Sequence, residues 1–379
     1  LRAFLRLAPD QGVPDHSSLS RTRHRIDLET HREVFEWVLS RLTEYGLLKG
    51  KTVGVDASTM EANAAMRSIV RREDGATYQE FLTHLAQDSG IETPTRDDLA
   101  RLDRQRKGKK VSNEEWHNPY DPDVKITKMK DGRTHLAYKN EHAVDLDTGA
   151  IIAAEIHPAD QGDTTTGIST LAQAVESLEE IRDAEDTEGL TIKEMVADKG
   201  YHSGQTLVDL EEVEIRPYIA EPKPKRRRWA ARDPEEQRFK DAERRAVYNN
   251  RRRLKGQRSK SLHRRRGERV ERIFAHVLDD GGMRRAHLRG RENLAKRYLI
   301  QVAAFNLGLI LRKLCVHGTP RQWADALRAF FRSHLGWMRP VRRRVRAALH
   351  NLQALLFTSR AQAVGIVGLQ RAVLPAQAA

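Results

Sequence analysis

Two short stretches of this chain each run through apolar residues onto an aspartate. Thr52-Val53-Gly54-Val55 leads to Asp56, and Met195-Val196-Ala197 leads to Asp198, which Lys199-Gly200-Tyr201 follows. Open α/β sheets keep their sites at such carboxyl ends of buried strands. A third acid, Glu271, stands downstream in a segment with apolar Val270, Ile273, Phe274, Val277 and Leu278, the spacing of one helix face. Two strand-borne aspartates and a helix-borne glutamate are the parts of a two-metal phosphoryl-transfer site, in which ions roughly 3.5 to 4 Å apart flank an in-line displacement. Magnesium takes carboxylate oxygens and keeps several waters, so three acids suffice without a histidine cage. Gly200 would let the backbone pass close to a bound phosphate.

Simpler readings exist for each acid. Aspartates after strands also serve as caps and turn formers, and Glu271 alone would serve as a surface partner for Arg269 or Arg272. The ordered set carries the site reading. Glu268, one turn before Glu271, is a rival that sits off the apolar stripe. His135, His142 and His157 fall on or beside one predicted hairpin, where alternate spacing reads as strand exposure rather than metal binding. Asp160 and Asp163 read as loop caps, Asp145 and Asp147 as turn formers. No phosphate-cradling glycine loop, His-Glu-x-x-His or Gly-x-Ser-x-Gly occurs, so nucleotide hydrolysis, zinc proteolysis and serine hydrolysis are unsupported.

The elements that must position these acids follow from pattern. A strand over 52–55 delivers Asp56, and 60–66 and 78–86 favour helix. Residues 88–131 are polar and broken by proline, glycine and lysine, and read as an excursion from the core. Ala137–Leu146 and Ala150–His157, joined by Asp147-Thr148-Gly149, make a hairpin. Ile168 to Ile181 is one amphipathic helix, and Met195–Ala197 is the next strand. A short helix at 205–210 and a last strand at 215–220 complete the run. An antiparallel hairpin feeding parallel strands flanked by helices is a mixed sheet of the α/β class. The domain reading is a helical head at 1–50 and a core over 51–222, with the excursion at about 88–131. A basic helical insertion at 223–262 then precedes the last catalytic helix, within a core part at 263–315, and a helical tail fills 316–379.

The chain has 379 residues, 39% of them hydrophobic, and a formal net charge of +14. From Lys223 to Arg272 there are 21 Lys and Arg against 7 Asp and Glu, so this block carries the whole excess. Charge concentrated so is the footprint of a polyanion-contacting surface, or else of a solvated basic linker. Arg226, Arg227, Arg228, Arg251, Arg252, Arg264, Arg265, Arg266, Arg269 and Arg272 are the candidate phosphate contacts. Cys315 is the single cysteine, which excludes a disulfide framework and a cysteine zinc site. No secretory signal and no long uninterrupted apolar run is read, giving the expectation of a cytoplasmic, DNA-associated protein with no membrane partner. Leu1 in place of Met reads as a chain lacking its true start.

These residues resemble the DDE transposases of bacterial insertion sequences. The matching text is Val55-Asp56-Ala57-Ser58-Thr59 with Glu61-Ala62-Asn63-Ala64, and Tyr138 to Asp145 with Asp147-Thr148-Gly149. Ala197-Asp198-Lys199-Gly200-Tyr201, Val270-Glu271-Arg272-Ile273-Phe274 and Leu288-Arg289-Gly290 complete it. The resemblance implies an RNase H-like core, with Asp56, Asp198 and Glu271 as catalytic acids holding two Mg²⁺ or Mn²⁺ ions. It implies double-stranded DNA as partner, both element ends and target, and a homodimer that pairs two ends. One departure is plain. Many relatives carry Tyr, Arg and Lys at set distances around the glutamate. Here Tyr248 and Arg251 lie too far upstream, and Leu278 stands where the Lys would fall. Two other readings are a DNA-binding relative without catalysis and a metal-dependent nuclease without strand transfer.

Overall fold

The computed structural model describes residues 12–315, apart from residues 14, 130, 186–188, 223–226 and 231–232. The first residues of the expected helical head, 1–11, and the tail at 316–379 lie outside the described residues. The chain divides after Ile310 into two compact units, and the fold below is that of the first.

Among the described residues two helices come first, α1 (His16–Arg25) and α2 (Leu28–Glu44). Asp27 caps α2 by accepting the Thr30 N–H at 2.8 Å, and α2 buries Phe35, Val38, Leu39 and Leu42 on one face. β1 (Thr52–Glu61) follows. A side lobe then holds β2 (Val70–Arg71), α3 (Tyr78–Asp88), α4 (Arg96–Gln105), α5 (Ser112–Glu115) and β3 (Trp116–His117), with β2 and β3 paired antiparallel. Capping boxes open α3 at Thr77/Glu80 and α4 at Thr95/Asp98. The chain returns to the main sheet through β4 (Lys125–Lys128), β5 (Thr134–Asp145) and β6 (Ile151–Pro158). Next come α6 (Asp163–Glu185), β7 (Glu194–Ala197), α7 (Gly204–Glu212), β8 (Arg216–Ile219), α8 (Pro234–Leu254) and α9 (Gln257–Arg266). The helix continues through a π turn (Gly267–Glu271), α10 (Arg272–Ala275) and a second π turn (His276–Asp280), and α11 (Arg291–Cys315) ends the described chain.

The main sheet has six strands in the order β4-β5-β1-β7-β8, with β6 on the outer edge of β5. β5 is antiparallel to β1, β4 and β6, while β1, β7 and β8 run parallel. This is the RNase H-like mixed sheet flanked by helices. α6 covers one face and is backed by α2, and α9 through α11 cover the other. α8 packs on α7 and β8, burying Ala246 and Val247. Asn250, fully buried, exchanges both hydrogen bonds with the Ile219 backbone. α11 is long and apolar enough to cross a membrane by length and composition. Its Leu294, Tyr298 and Val302 are nonetheless fully buried in the core, and its Asn306 side chain bonds both backbone groups of Ile151.

Several expectations need correcting. β1 does not stop at Val55: it runs to Glu61, paired with β5 throughout, so Asp56 sits inside a strand and no helix forms at 60–66. Its far end is held by the loop after the second π turn, where the Glu61 N–H donates to the Arg284 carbonyl and Ala286 donates to Glu61. The excursion contains β4, a strand of the main sheet. Asp145 does form the turn, accepting the Asp147 N–H. It also holds the α2–β1 loop by accepting from the backbone N–H groups of Lys49 at 2.7 Å and Gly50 at 3.2 Å.

Candidate active site

β1 and β7 run parallel in a register that sets Thr52 beside Glu194, Val53 beside Met195 and Gly54 beside Val196. Asp56 and Asp198 each lie two residues beyond the last of these pairs, and the Asp198 charge is felt at Asp56. The two aspartates are therefore neighbours. Burial pushes the Asp56 carboxyl above its ordinary value, and the Asp198 charge adds to the shift while the Arg266 guanidinium opposes it. Asp56 Oδ1 accepts from the Ala57 N–H at 2.9 Å, and Oδ2 accepts from Arg266 Nη1 at 2.7 Å.

α9 lies over this pair because β1 gives it room. A Cβ on Gly54 would lie 2.6 Å from Leu146 Cδ2 and 3.2 Å from Val270 Cγ2, so only glycine lets the helix settle there. The helix presents Arg266 to Asp56. It also carries His263, whose pKa is lowered by burial and by Arg266 against the opposing pull of Asp198. His263 Nε2 and Arg266 Nε are both buried without a hydrogen-bond partner.

The Asp198 turn is bolted down from the other side of the sheet. Asp198 Oδ1 accepts from the Gly200 N–H at 2.8 Å, starting a single 3₁₀ turn over Lys199–Tyr201. A Cβ on Gly200 would lie 2.3 Å from Asp163 Oδ2, so glycine is needed where α6 meets this turn. Asp163 Oδ1 in turn accepts from Lys139 Nζ at 2.6 Å, and Lys139 is 5% exposed. The Tyr201 ring lies on Gly167 and its hydroxyl donates to Glu141 Oε1 at 2.5 Å. Glu141, fully buried, also accepts from Thr170 at 2.6 Å and Thr166 at 3.1 Å. Burial raises the Glu141 carboxyl, and these donors work against the rise.

Glu271 stands in the first π turn, exposed, with its Oε1 3.8 Å from where a Gly267 Cβ would be. Such single-turn π segments recur at functional sites. Glu268 is 54% exposed and pairs with Arg264 at 3.0 Å. Among the described residues, no group of three or more His, Cys, Asp or Glu is arranged to hold a metal ion. The structure thus brings Asp56 and Asp198 together and places Glu271 one π turn beyond the arginine on Asp56.

The candidate DNA-contacting arginines separate into two groups. Arg227 and Arg251 surround Glu221 beside Trp229 and Tyr248, Arg251 binding Glu221 through two contacts of 2.7 Å. Along the second helix, Arg264 pairs with Glu268, Arg265 with Asp147 at 2.6 Å, and Arg269 donates to the Thr148 carbonyl. Arg228, Arg252 and Arg272 are exposed, and Arg226 lies outside the described residues.

The histidine expectation fails in an instructive way. His142 and His157 are buried, not strand-exposed. His142 stacks on Phe274 with ring centroids 4.3 Å apart, and its Nε2 meets the Tyr298 hydroxyl at 2.6 Å. Burial takes its pKa to about 3 and that of His157 to about 4, so both rings stay neutral. Asp163 is more than a loop cap, since it neutralises a buried lysine. Lys139, Glu141 and Tyr201 fall within the stretches that carry the resemblance but receive no role from the sequence, and His263 is not singled out there. The available signal was charge in a strand otherwise apolar, together with glycines at 167 and 200.

A family comparison completes the picture. The chain belongs to the transposase DDE domain family. The family model, described as "Transposase DDE domain", matches residues 91–307. Asp198 and Glu271 lie inside the match and Asp56 before it. No curated protein and no solved structure matches the chain. Membership makes the chemistry that of DNA transposition, the partner DNA, and divalent metal the family's general cofactor.

Proposed function

We propose that this transposase binds the terminal inverted repeats of an insertion sequence, cleaves a DNA strand there and transfers the end to target DNA. In this reading Asp56, Asp198 and Glu271 hold two divalent ions, Mg²⁺ or Mn²⁺, and a homodimer pairs the two ends. The observation that carries it is that Asp56 and Asp198 lie two residues past the last paired positions of adjacent parallel strands, close enough for one charge to shift the other, in a DDE-family chain. The pair suits a hard cation: its donors are carboxylate oxygens, its like charges oppose each other, and it has drawn in a guanidinium. Two bound ions would activate the attacking hydroxyl and stabilise the leaving oxygen.

The chain's own residues supply position. Lys139, Glu141 and Tyr201 fix the Asp198 turn from behind, and Gly54 makes room for Val270 on the helix that carries Arg266 to Asp56. Helix geometry favours Glu271 over Glu268. Arg265 and Arg269 reach back to the hairpin turn at 147–148, near the start of β1. Glu271 comes five residues after Arg266, about one π turn, and so projects from the same face of the helix as the arginine on Asp56. Glu268 instead engages Arg264 on the outer surface.

The test is cleavage of a short duplex carrying the element's end, with Mg²⁺, by wild type, Glu271→Gln and Glu268→Gln. Cutting should vanish in the first variant and persist in the second. Cutting by Glu271→Gln would remove that residue from the site. Binding without cutting in wild type would leave a DNA-binding relative without catalysis, and cutting without joining would leave a nuclease.

A further inference from the structure

Arg266 occupies an unusual position among the arginines of the basic block. Its Nη1 lies 2.7 Å from Asp56 Oδ2, with the arginine side chain 14% and the aspartate 21% exposed. Arg251 and Arg265 also hold carboxylates, but theirs are Glu221 and Asp147, neither of them a candidate metal ligand. Arg266 is also only half used. It grips Asp56 through Nη1, and its Nε, which with Nη2 makes the two-donor edge of a guanidinium, is buried without a hydrogen-bond partner. A guanidinium satisfies itself best against a planar or tetrahedral oxyanion that accepts from both arms, as a phosphate does. Meanwhile the Arg266 guanidinium stands on the Asp56 oxygen that a cation would approach, and the two positive charges repel. Its Oδ1 is engaged by the Ala57 N–H and its Oδ2 by Arg266.

We propose that Arg266 exchanges between two anions. It holds Asp56 while no divalent cation is bound, and passes to a DNA phosphate when a cation takes the carboxylate. This inference rests on the metal reading above. Its consequence is a linkage. A cation that frees Arg266 prepares a phosphate contact, and a phosphate that captures Arg266 frees Asp56, so each must raise the affinity of the other by the same factor. Arg266 is then a positioning residue that makes cation loading depend on DNA.

Mn²⁺ binding followed by electron paramagnetic resonance, with and without a short duplex of arbitrary sequence at low salt, tests this without any turnover. Without DNA, Arg266→Gln should bind Mn²⁺ on the order of tenfold tighter than wild type, because a charge-assisted contact no longer competes. The duplex should tighten Mn²⁺ binding to wild type by a similar factor and leave Arg266→Gln unchanged. Arg266→Lys keeps the charge on Asp56 but lacks the fork, so its Mn²⁺ affinity should stay near wild type while the coupling to DNA shrinks. Asp198→Asn is the control. If it abolishes Mn²⁺ binding while Arg266→Gln binds no tighter than wild type, the exchange is wrong and the metal reading stands. If Asp198→Asn binds Mn²⁺ as well as wild type does, the metal reading fails and the exchange falls with it.

Discussion

Gly167→Ala is the perturbation that most directly tests how Asp198 is held. A Cβ at position 167 would lie 2.5 Å from Tyr201 Cδ1 and 2.6 Å from Cε1, closer than such contacts occur. Tyr201 is 1% exposed and its hydroxyl is tied to Glu141 at 2.5 Å, so the ring cannot swing aside and keep its bond. Burial and the Glu141 charge both keep the phenol protonated, so it remains a donor. Overpacking of this kind costs about 1–3 kcal/mol, and loss of a hydrogen bond to a buried carboxylate adds roughly 1.5–3, giving about 2.5–6 kcal/mol in all. That is a large part of a typical domain's stability. Urea unfolding of wild type, Gly167→Ala, Tyr201→Phe and the double variant measures it. Without its hydroxyl the ring is free to shift, so the double variant should cost less than the two single changes added together. A Gly167→Ala protein within about 0.5 kcal/mol of wild type would refute the argument. The Asp198 turn would then be loosely seated, and its placement beside Asp56 would need another cause.

Two further outcomes follow from groups away from the acids. Tyr298→Phe removes the hydroxyl that accepts from Asn140 Nδ2 and donates to His142 Nε2, both at 2.6 Å. Leaving those two buried groups unsatisfied should cost about 2 kcal/mol in urea unfolding; an unchanged midpoint would mean that the network relaxes onto other partners. Glu36 on α2 has its pKa raised to about 8 by burial and by its contact with Glu180 on α6. A raised carboxyl pKa gives stability that is complete below the unfolded value of 4.5 and is lost as pH rises through about 8. Since Glu36 is only half-buried, solvent screening holds the effect to about 1 kcal/mol. Glu36→Gln should therefore flatten the stability curve between about pH 5 and 9 and be the more stable protein at the upper end. A slope retained in the variant would place the titration elsewhere.

Where local chemistry decides structure, the sequence was readable. Asp147-Thr148-Gly149 names its turn, since Gly149 takes φ 83° and Asp145 caps the neighbouring amides. The α6 stripe and the short strand ending at Asp198 are equally local. β1 was misjudged because its second half, Ala57 to Glu61, has no strong alternation and runs into an alanine-rich stretch that favours helix. Pairing with β5 and the loop at 284–286 overrides that preference, and neither partner is near in sequence. The role of Lys139 and Glu141 is not legible for the same reason. Charges at alternate positions of a strand read as its wet face. Their partners Asp163, Thr166, Thr170 and Tyr201 sit up to 60 residues away, brought in by the crossover through α6.

The helix that bears Glu271 shows a subtler limit. Reading it at 3.6 residues per turn places Glu271 at the rim of the apolar stripe, beside Val270. Two π turns change the phase, because each turn then takes about 4.4 residues. The residue one turn before Glu271 is therefore not Gly267 alone but the Gly267–Arg266 pair, and Arg266 is the one that reaches Asp56. That shift bears on the missing flanking residues of the family pattern. Tyr248 and Arg251 lie too far upstream to serve, whereas Arg266 stands about one π turn before the glutamate. Net charge could not make this distinction either. The block from Lys223 to Arg272 carries the whole excess of positive charge, yet Arg227, Arg251, Arg264, Arg265 and Arg266 each spend theirs on a carboxylate within the chain. Among these pairs the one on Asp56 stands apart, because releasing it exposes both a candidate metal ligand and a phosphate-binding fork at the same place.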